Sequence, residues 1–234
     1  MSALRSVVHR DGRTFDWNPR HDERSRDYPV RRLVAAKPTK PVWWAGGYVL
    51  DQGAEGACAG FSAVGEYLAS PVRGRVSSVA AGDALAREVY GRAKRIDEWP
   101  GEDYDGTSVN AVMKVGRERG WWDGWSWAFG ADDVRGALLL GPVVIGIPWY
   151  ESMYEAPGGI VRVGGELVGG HALLVTGWSP SYGRLGEVFR WWNSWSKSYG
   201  KGGNGYVRAA DFAALLADQG EAAVATGRRI GRAA

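Results

Sequence analysis

Asp51-Gln52-Gly53-Ala54-Glu55-Gly56-Ala57-Cys58-Ala59-Gly60-Phe61-Ser62-Ala63 is the stretch on which the reading of this 234-residue chain turns. It holds the only cysteine, so the chain has no internal disulfide and the core alone must supply stability. A single thiol also fits a reducing compartment. From Cys58 onward, apolar Phe61, Val64 and Leu68 recur at helical spacing up to Pro71, which places Cys58 at a predicted helix start. A helix N-terminus carries partial positive charge that favours thiolate, and the small Gly56 and Ala57 leave the sulfur accessible.

A thiol nucleophile needs a base, and the base needs a third group to fix its ring. Of three histidines, His9 and His21 fall in an irregular lead-in. His171 follows Gly169-Gly170 at a predicted strand start. Taken singly, a lone cysteine is most often a small buried hydrophobe, and a lone histidine a satisfied polar group. Here the best nucleophile and the best base sit in different halves of the chain and would meet only across a cleft.

Working outward, residues 1–46 read as an extended Arg/Pro-rich lead-in. Pro19, Pro29, Pro38 and Pro41 each disfavour helix before them. Tyr28, Trp43 and Trp44 are the expected anchors, with at least Tyr28 to Tyr48 expected to be ordered against the body. After the helix at Cys58, a second is expected behind an Asp83 N-cap, with Leu85, Val89, Ala93 and Ile96 on one face. A third is expected after Thr107 or Ser108, ending near Gly120, and a short fourth at Asp132-Asp133. Then the period changes: 143–147, 159–163, 172–178, 188–193 and 206–208 read as short strands. A last helix over 211–216 and a closing strand over 222–226 follow, and 227–234 read as a frayed basic tail. Helices followed by strands define an α+β domain over 47–226, with a helical lobe at about 50–130 and a β lobe at about 131–226.

Composition narrows the function. Hydrophobic residues make up 45% of the chain, enough for a sizeable core. The net charge of +3 is a property of the lead-in, because residues 1–40 alone carry an excess of +5. No basic face is expected on the body, and no nucleic-acid partner. No apolar run approaches the roughly 20 residues that span a bilayer, so no membrane association is expected. The start lacks an apolar leader, which sets the expectation of a cytoplasmic protein or one carried without a signal peptide. Arginine outnumbers lysine, as in GC-rich bacterial or phage genomes. Asp97, Glu98, Glu102, Asp103 and Asp105 lack calcium-loop spacing and read as a solvated loop. Gly200–Gly205 reads as a hairpin turn without phosphate-loop spacing. Trp121, Trp122, Trp125 and Trp127 form either packing between lobes, the commoner use, or a platform for carbohydrate or peptide.

Three ordered blocks resemble the papain family of cysteine peptidases. The first is the opening stretch, with Gln52 six residues before Cys58. The second is Gly170-His171-Ala172-Leu173-Leu174-Val175-Thr176-Gly177-Trp178. The third is Trp192-Asn193-Ser194-Trp195, followed by Tyr199-Gly200 and Gly205-Tyr206. The likeness spans roughly 47–225. It implies a two-lobe fold, the second lobe an antiparallel barrel-like sheet, with a cleft between. It implies peptide or isopeptide hydrolysis on a peptide or protein substrate, with no metal and no cofactor. By matched position, Cys58 is the implied nucleophile, His171 the base, Asn193 its orienter and Gln52 the oxyanion-hole donor. Gly106, Gly170 and Trp195 are the implied substrate-side residues, Trp195 also shielding the His–Asn bond.

The chain departs from the family at Glu55, where a cysteine is usual, and at Ala59, where tryptophan is usual. An acid near the thiol would raise its pKa. His171 follows Cys58 by 113 residues, fewer than the roughly 130–150 of papain-type enzymes, as trimmed surface loops would give. The 57 residues before Cys58 are too few for a long prosegment, so the lead-in is expected to wrap the body or occlude the cleft. Two rival readings stay open: an inactive binding or particle-associated module, and a Cys/His cell-wall endopeptidase. Oligomeric state and sequence preference have no readable code.

Overall fold

The computed structural model describes residues 7–8, 14–15, 17, 23–97 and 106–229. His9, His21 and the acidic loop beyond Asp97 lie outside them. Nine strands and five α-helices are described: β1 (Val7–Val8), β2 (Thr14–Phe15), β3 (Val42–Trp43), α1 (Cys58–Leu68), α2 (Val79–Ile96), α3 (Val109–Glu118), β4 (Gly124–Trp127), α4 (Ala131–Ala137), β5 (Val143–Tyr150), β6 (Leu167–Ser179), β7 (Val188–Trp192), β8 (Asn204–Arg208), α5 (Ala209–Ala217) and β9 (Glu221–Thr226).

The main sheet is antiparallel and runs β4-β9-β5-β6-β7-β8, with β3 pairing β6 beyond the end of β5. It does not close on itself, so the expected barrel-like lobe is an open sheet. Alternation along the strands gives it two buried faces. Val144, Ala172, Leu174, Ala223 and Ala225 pack with α1, α2 and α3. Val143, Ile145, Ile147, Leu173, Val175 and Val224 pack with α4 and α5 on the other side. The helices α1, α2 and α3 therefore cover one face of the sheet, and α4 and α5 the other.

Each helix start has a local cause. The Ser78 side chain accepts the Ala81 N–H, so α2 begins four residues before the expected Asp83. Asp83 instead accepts the Asp51 N–H at 3.0 Å, tying α2 to the nucleophile block. Ser108 caps α3 through the Ala111 N–H. The stretch 159–163, expected as a strand, forms only one bridge, Ile160 to Tyr206. Pro157 and the positive φ of Gly158 and Gly159 turn the chain there. Strand β4 was not anticipated; it pairs with β9 and carries the sheet across the expected lobe boundary near 130.

Trp121, Trp122 and Trp127 are buried as packing. Trp121 stacks on Tyr67 with centroids 4.4 Å apart, and the Trp122 N–H donates to the Met113 carbonyl. From Glu23 onward the lead-in docks, though not through all the aromatics expected. Tyr28 is 64% exposed, while its carbonyl accepts the Trp127 N–H and Val30 is buried beside it. Trp44 donates to the Leu138 carbonyl, and Trp43 stays part-exposed under the Arg190 guanidinium. At the other end, the expected frayed tail is docked at its start. The Arg228 side chain is buried and pairs with Glu66 of α1, also donating to the Leu140, Pro142 and Ala225 carbonyls. Removal from water pushes the Glu66 carboxyl up, against the opposing pull of Arg228.

Candidate active site

Cys58 is the first residue of α1 and is fully buried. Ala57 provides no side-chain cap, and no acid sits in the first turn of the helix. The positive end of the helix is thus neither capped by a side chain nor offset by a carboxylate in that turn. Glu55, the acid nearest in sequence, points to Arg87, with which it pairs at 2.7 Å on a part-exposed surface.

His171 lies in β6 opposite Ile147 and is also fully buried. Its Nε2 is 2.9 Å from Asn193 Oδ1. The same Oδ1 accepts the Ser194 N–H at 2.8 Å, which fixes the carboxamide with its oxygen toward the ring. An acceptor there places the hydrogen of a neutral imidazole on Nε2. Trp195 lies 4.9 Å from the His171 ring, and Trp149 meets that ring edge-on at 4.8 Å. With Asn193 and Trp195 also buried, the His–Asn bond is dry. Tyr199 packs edge-on against Trp195, and burial holds its phenol well above the usual range.

Gln52 is held on both sides. Its Oε1 accepts the Ser194 hydroxyl at 2.5 Å, and its Nε2 donates to the Glu55 carbonyl at 2.7 Å. The Gln52 N–H donates to the Ser194 carbonyl, and Asp51 bridges Trp195. The structure therefore joins the Gln52 block directly to the Asn193-Ser194-Trp195 block. It sets α1, led by Cys58, against β6, which carries His171. Gly106 sits at the rim of the helical half, buried at φ +114, with its N–H donating to the Tyr90 hydroxyl. Among the described residues no cluster of His, Cys, Asp or Glu could hold a metal ion.

Trp17, the one described residue between Phe15 and Glu23, lies at this site. The Trp17 N–H donates to the carbonyl of Gly170, next to His171, and Trp17 bridges Thr107, next to Gly106. Trp17 is fully buried, and its indole N–H donates to Glu221 at 3.2 Å. A Cβ on Gly146 would fall on the indole, and one on Gly170 on the Trp17 main chain and ring. Gly170 was a candidate substrate-side residue; in this state its partner is the chain's own Trp17.

Similarity to solved structures bears on this architecture. A crystal structure of xylellain, a cysteine protease from Xylella fastidiosa, matches with a TM-score of 0.67 at 17% identity, covering 98% of this chain and 99% of that one. The fold is papain-like. Digestive procathepsin L 3 from Tenebrio molitor larval midgut matches with a TM-score of 0.60 at 15% identity, over 95% of this chain and 76% of that one. The ragweed pollen allergen Amb a 11, a cysteine protease in its proform, matches at 0.62 and 16%, over 88% and 70%. No protein-family model and no curated protein matches the sequence. Within the papain-like fold, sequence reasoning missed Trp17, Gly146, Trp149 and Glu221. Only Glu221 left a trace, as an acid opening the otherwise small and apolar run Glu221–Thr226.

Proposed function

We propose that the chain is a cysteine peptidase that hydrolyses peptide or isopeptide bonds through a thioester on Cys58. The observation that carries this reading is the dry His171–Asn193 pair, with His171 on the strand against which the Cys58 helix packs. Because Nε2 faces Asn193, the base is Nδ1. Cys58 gives its proton to Nδ1, and the thiolate attacks the scissile carbonyl carbon. The oxyanion takes hydrogen bonds from the Cys58 N–H and from Gln52 Nε2, whose amide carries a second hydrogen besides the one directed at Glu55. His171 then protonates the departing amine, leaving the acyl group on sulfur. Water, deprotonated by Nδ1, attacks the thioester and releases the acid and the Cys58 thiol.

The chain in this state is latent, since Trp17 takes the main-chain position beside His171 that an extended substrate would use. That two of the similar structures are themselves pro-forms supports the same reading.

The test is labelling by an epoxide thiol inhibitor together with hydrolysis of a broad peptide library, on the native chain and on Cys58→Ala. Labelling and turnover should both vanish in Cys58→Ala while circular dichroism is unchanged. Unaltered turnover by the folded variant would end the peptidase reading.

A further inference from the structure

Behind the His171–Asn193 pair lies a buried phenol that the bond chemistry does not use. The chain after Asn193 returns to it: the Asn193 N–H donates to the Gly203 carbonyl at 3.0 Å, and the Gly203 N–H donates to the Tyr199 carbonyl at 2.8 Å. Gly203 holds φ +87, and a Cβ there would fall on Val49, so the turn admits no side chain. This seats the Tyr199 ring edge-on against Trp195, in the interior. The Tyr199 hydroxyl donates to the Met153 carbonyl at 3.4 Å, which leaves its oxygen lone pairs for other donors. Two buried donors, Asn193 Nδ2 and Trp191 Nε1, reach no acceptor at close hydrogen-bond geometry among the described residues, and the Tyr199 oxygen is the group both approach.

We infer that Tyr199 is a positioning residue, the acceptor that decides which end of the Asn193 carboxamide faces His171. The inference rests on the peptidase reading only in taking His171 for the base. The two ends of a carboxamide have nearly the same shape, so the hydrogen bonds around them choose between them. On one side the Ser194 N–H requires an oxygen. On the other the Tyr199 hydroxyl, its hydrogen given to Met153, requires a nitrogen. Turned over, the group would set its NH2 against the Ser194 N–H and its oxygen against the lone pairs of the phenol. Donation from Nδ2 also polarises the amide and makes Oδ1 a better acceptor for the ring. The line of donors runs from His171 Nε2 to Asn193, from Asn193 to Tyr199 and from Tyr199 to the Met153 carbonyl. It favours a hydrogen on Nε2 and, once Nδ1 has taken a proton, the imidazolium.

The test is a titration of the His171 ring by NMR, through its carbon-bound protons, in the full-length Cys58→Ala chain, where no thiol titrates alongside it. His9→Gln and His21→Gln variants assign its signals. Tyr199→Phe should lower the His171 midpoint by roughly 0.5–1 pH unit, the range of one hydrogen bond. Added to Asn193→Ala, the same substitution should shift nothing further, because the line is already cut. A lowered melt with an unmoved midpoint, or a shift that persists in full on Asn193→Ala, would overturn the proposal. Where His171 stays neutral across the stable pH range, exchange of its Nε2 proton with water decides. Tyr199→Phe should quicken that exchange roughly 2–10-fold, and an equal rate would overturn the proposal. Should Tyr199→Phe fail to fold, 3-fluorotyrosine at position 199 keeps the shape and weakens the acceptor; it should move the midpoint the same way, and an unchanged midpoint would count against the role. Hydrolysis enters none of these readouts, so the line of bonds found in a chain whose Cys58 shows no turnover would sink the peptidase reading alone.

Discussion

Replacing Trp17 by alanine should unlatch the cleft. Among its described contacts, its N–H lies on the Gly170 carbonyl at 3.0 Å, its indole on Glu221 at 3.2 Å, its ring over Gly146 and its main chain bridges Thr107. Truncating a fully buried tryptophan costs about 3–5 kcal/mol, the ring's transfer free energy plus the cavity left behind. If all of that fell on docking, the ratio of closed to open cleft would drop by on the order of 10²–10³. Part of it falls on the core instead, because Trp17 shares a cluster with Cys58, Val109 and Trp127. The segment from Tyr28 onward keeps its own ties through Val30 and the Tyr28 carbonyl, which Trp17→Ala does not touch. The assay is the second-order rate of Cys58 alkylation by iodoacetamide and by an epoxide peptide, read beside a thermal melt. Alkylation should accelerate at least about tenfold, with melting lowered by roughly 2–4 °C for each kcal/mol lost from the core. A lowered melt with an unchanged alkylation rate would show that Trp17 is a core residue and no gate.

Gln52→Ala should lower kcat by roughly 10²–10³ with little change in KM, since an oxyanion donor acts on charge that develops in the transition state; steady-state kinetics of the unlatched chain decide, and a normal kcat makes Gln52 structural. Asn193→Ala should leave the Cys58 helix intact by circular dichroism yet shift the pH–rate profile, because the ring loses the acceptor that fixes its tautomer; an unmoved profile would remove Asn193 from that role. Arg228→Ala should destabilise by about 3–5 kcal/mol in chemical denaturation, leaving a buried carboxylate without its cation. Burial already raises the Glu66 pKa, and the variant raises it further, so the folded state holds that proton more tightly than the unfolded state. Stability of the variant should then be fullest below the unfolded carboxylate range and fall as pH rises through the folded pKa; a flat profile from pH 4 to 8 would refute the assignment.

Helices α1 and α3 were legible because each rests on a local signal, a face of Phe61, Val64 and Leu68 or Ser108 reaching an N–H three residues on, whereas the Ser78 cap of α2 was missed in favour of Asp83. The strands of the second half were legible where branched and aromatic residues run unbroken, as in β6. The false strand at 159–163 carried the right residue types, but the two glycines before it turn the chain out of the ladder. Strand β4 was hidden because Gly-Trp-Ser-Trp reads equally as helix packing or loop, and only its partner β9, a hundred residues on, makes it a strand. The pairing of His171 with Asn193 could be anticipated because both sit in recognisable blocks. Trp17 and Glu221 could not: their meeting spans 204 positions, and neither end carries a pattern that names the other.

The departure at Glu55 has a physical counterpart in how the nucleophile loop is held. A cysteine at that place could fix the loop by a disulfide worth typically 2–4 kcal/mol. The Glu55–Arg87 pair that stands there is part-exposed on both sides, and such pairs contribute about 0–1 kcal/mol. It cannot fix the loop alone. The fixing falls to the main chain: Gln52 N–H to the Ser194 carbonyl at 2.8 Å and Ser196 N–H to the Leu50 carbonyl at 3.1 Å, while the Asp51 N–H is held by the Asp83 carboxylate of α2 at 3.0 Å. The first two bonds run between the residues before Cys58 and the residues after Asn193. Gln52 and Asn193 therefore ride on one strip of paired backbone, and a shift of either carries the other with it. In a chain with a single thiol, that pairing gives the site its rigidity, while Glu55 turns its charge outward to Arg87, away from the helix end that carries Cys58.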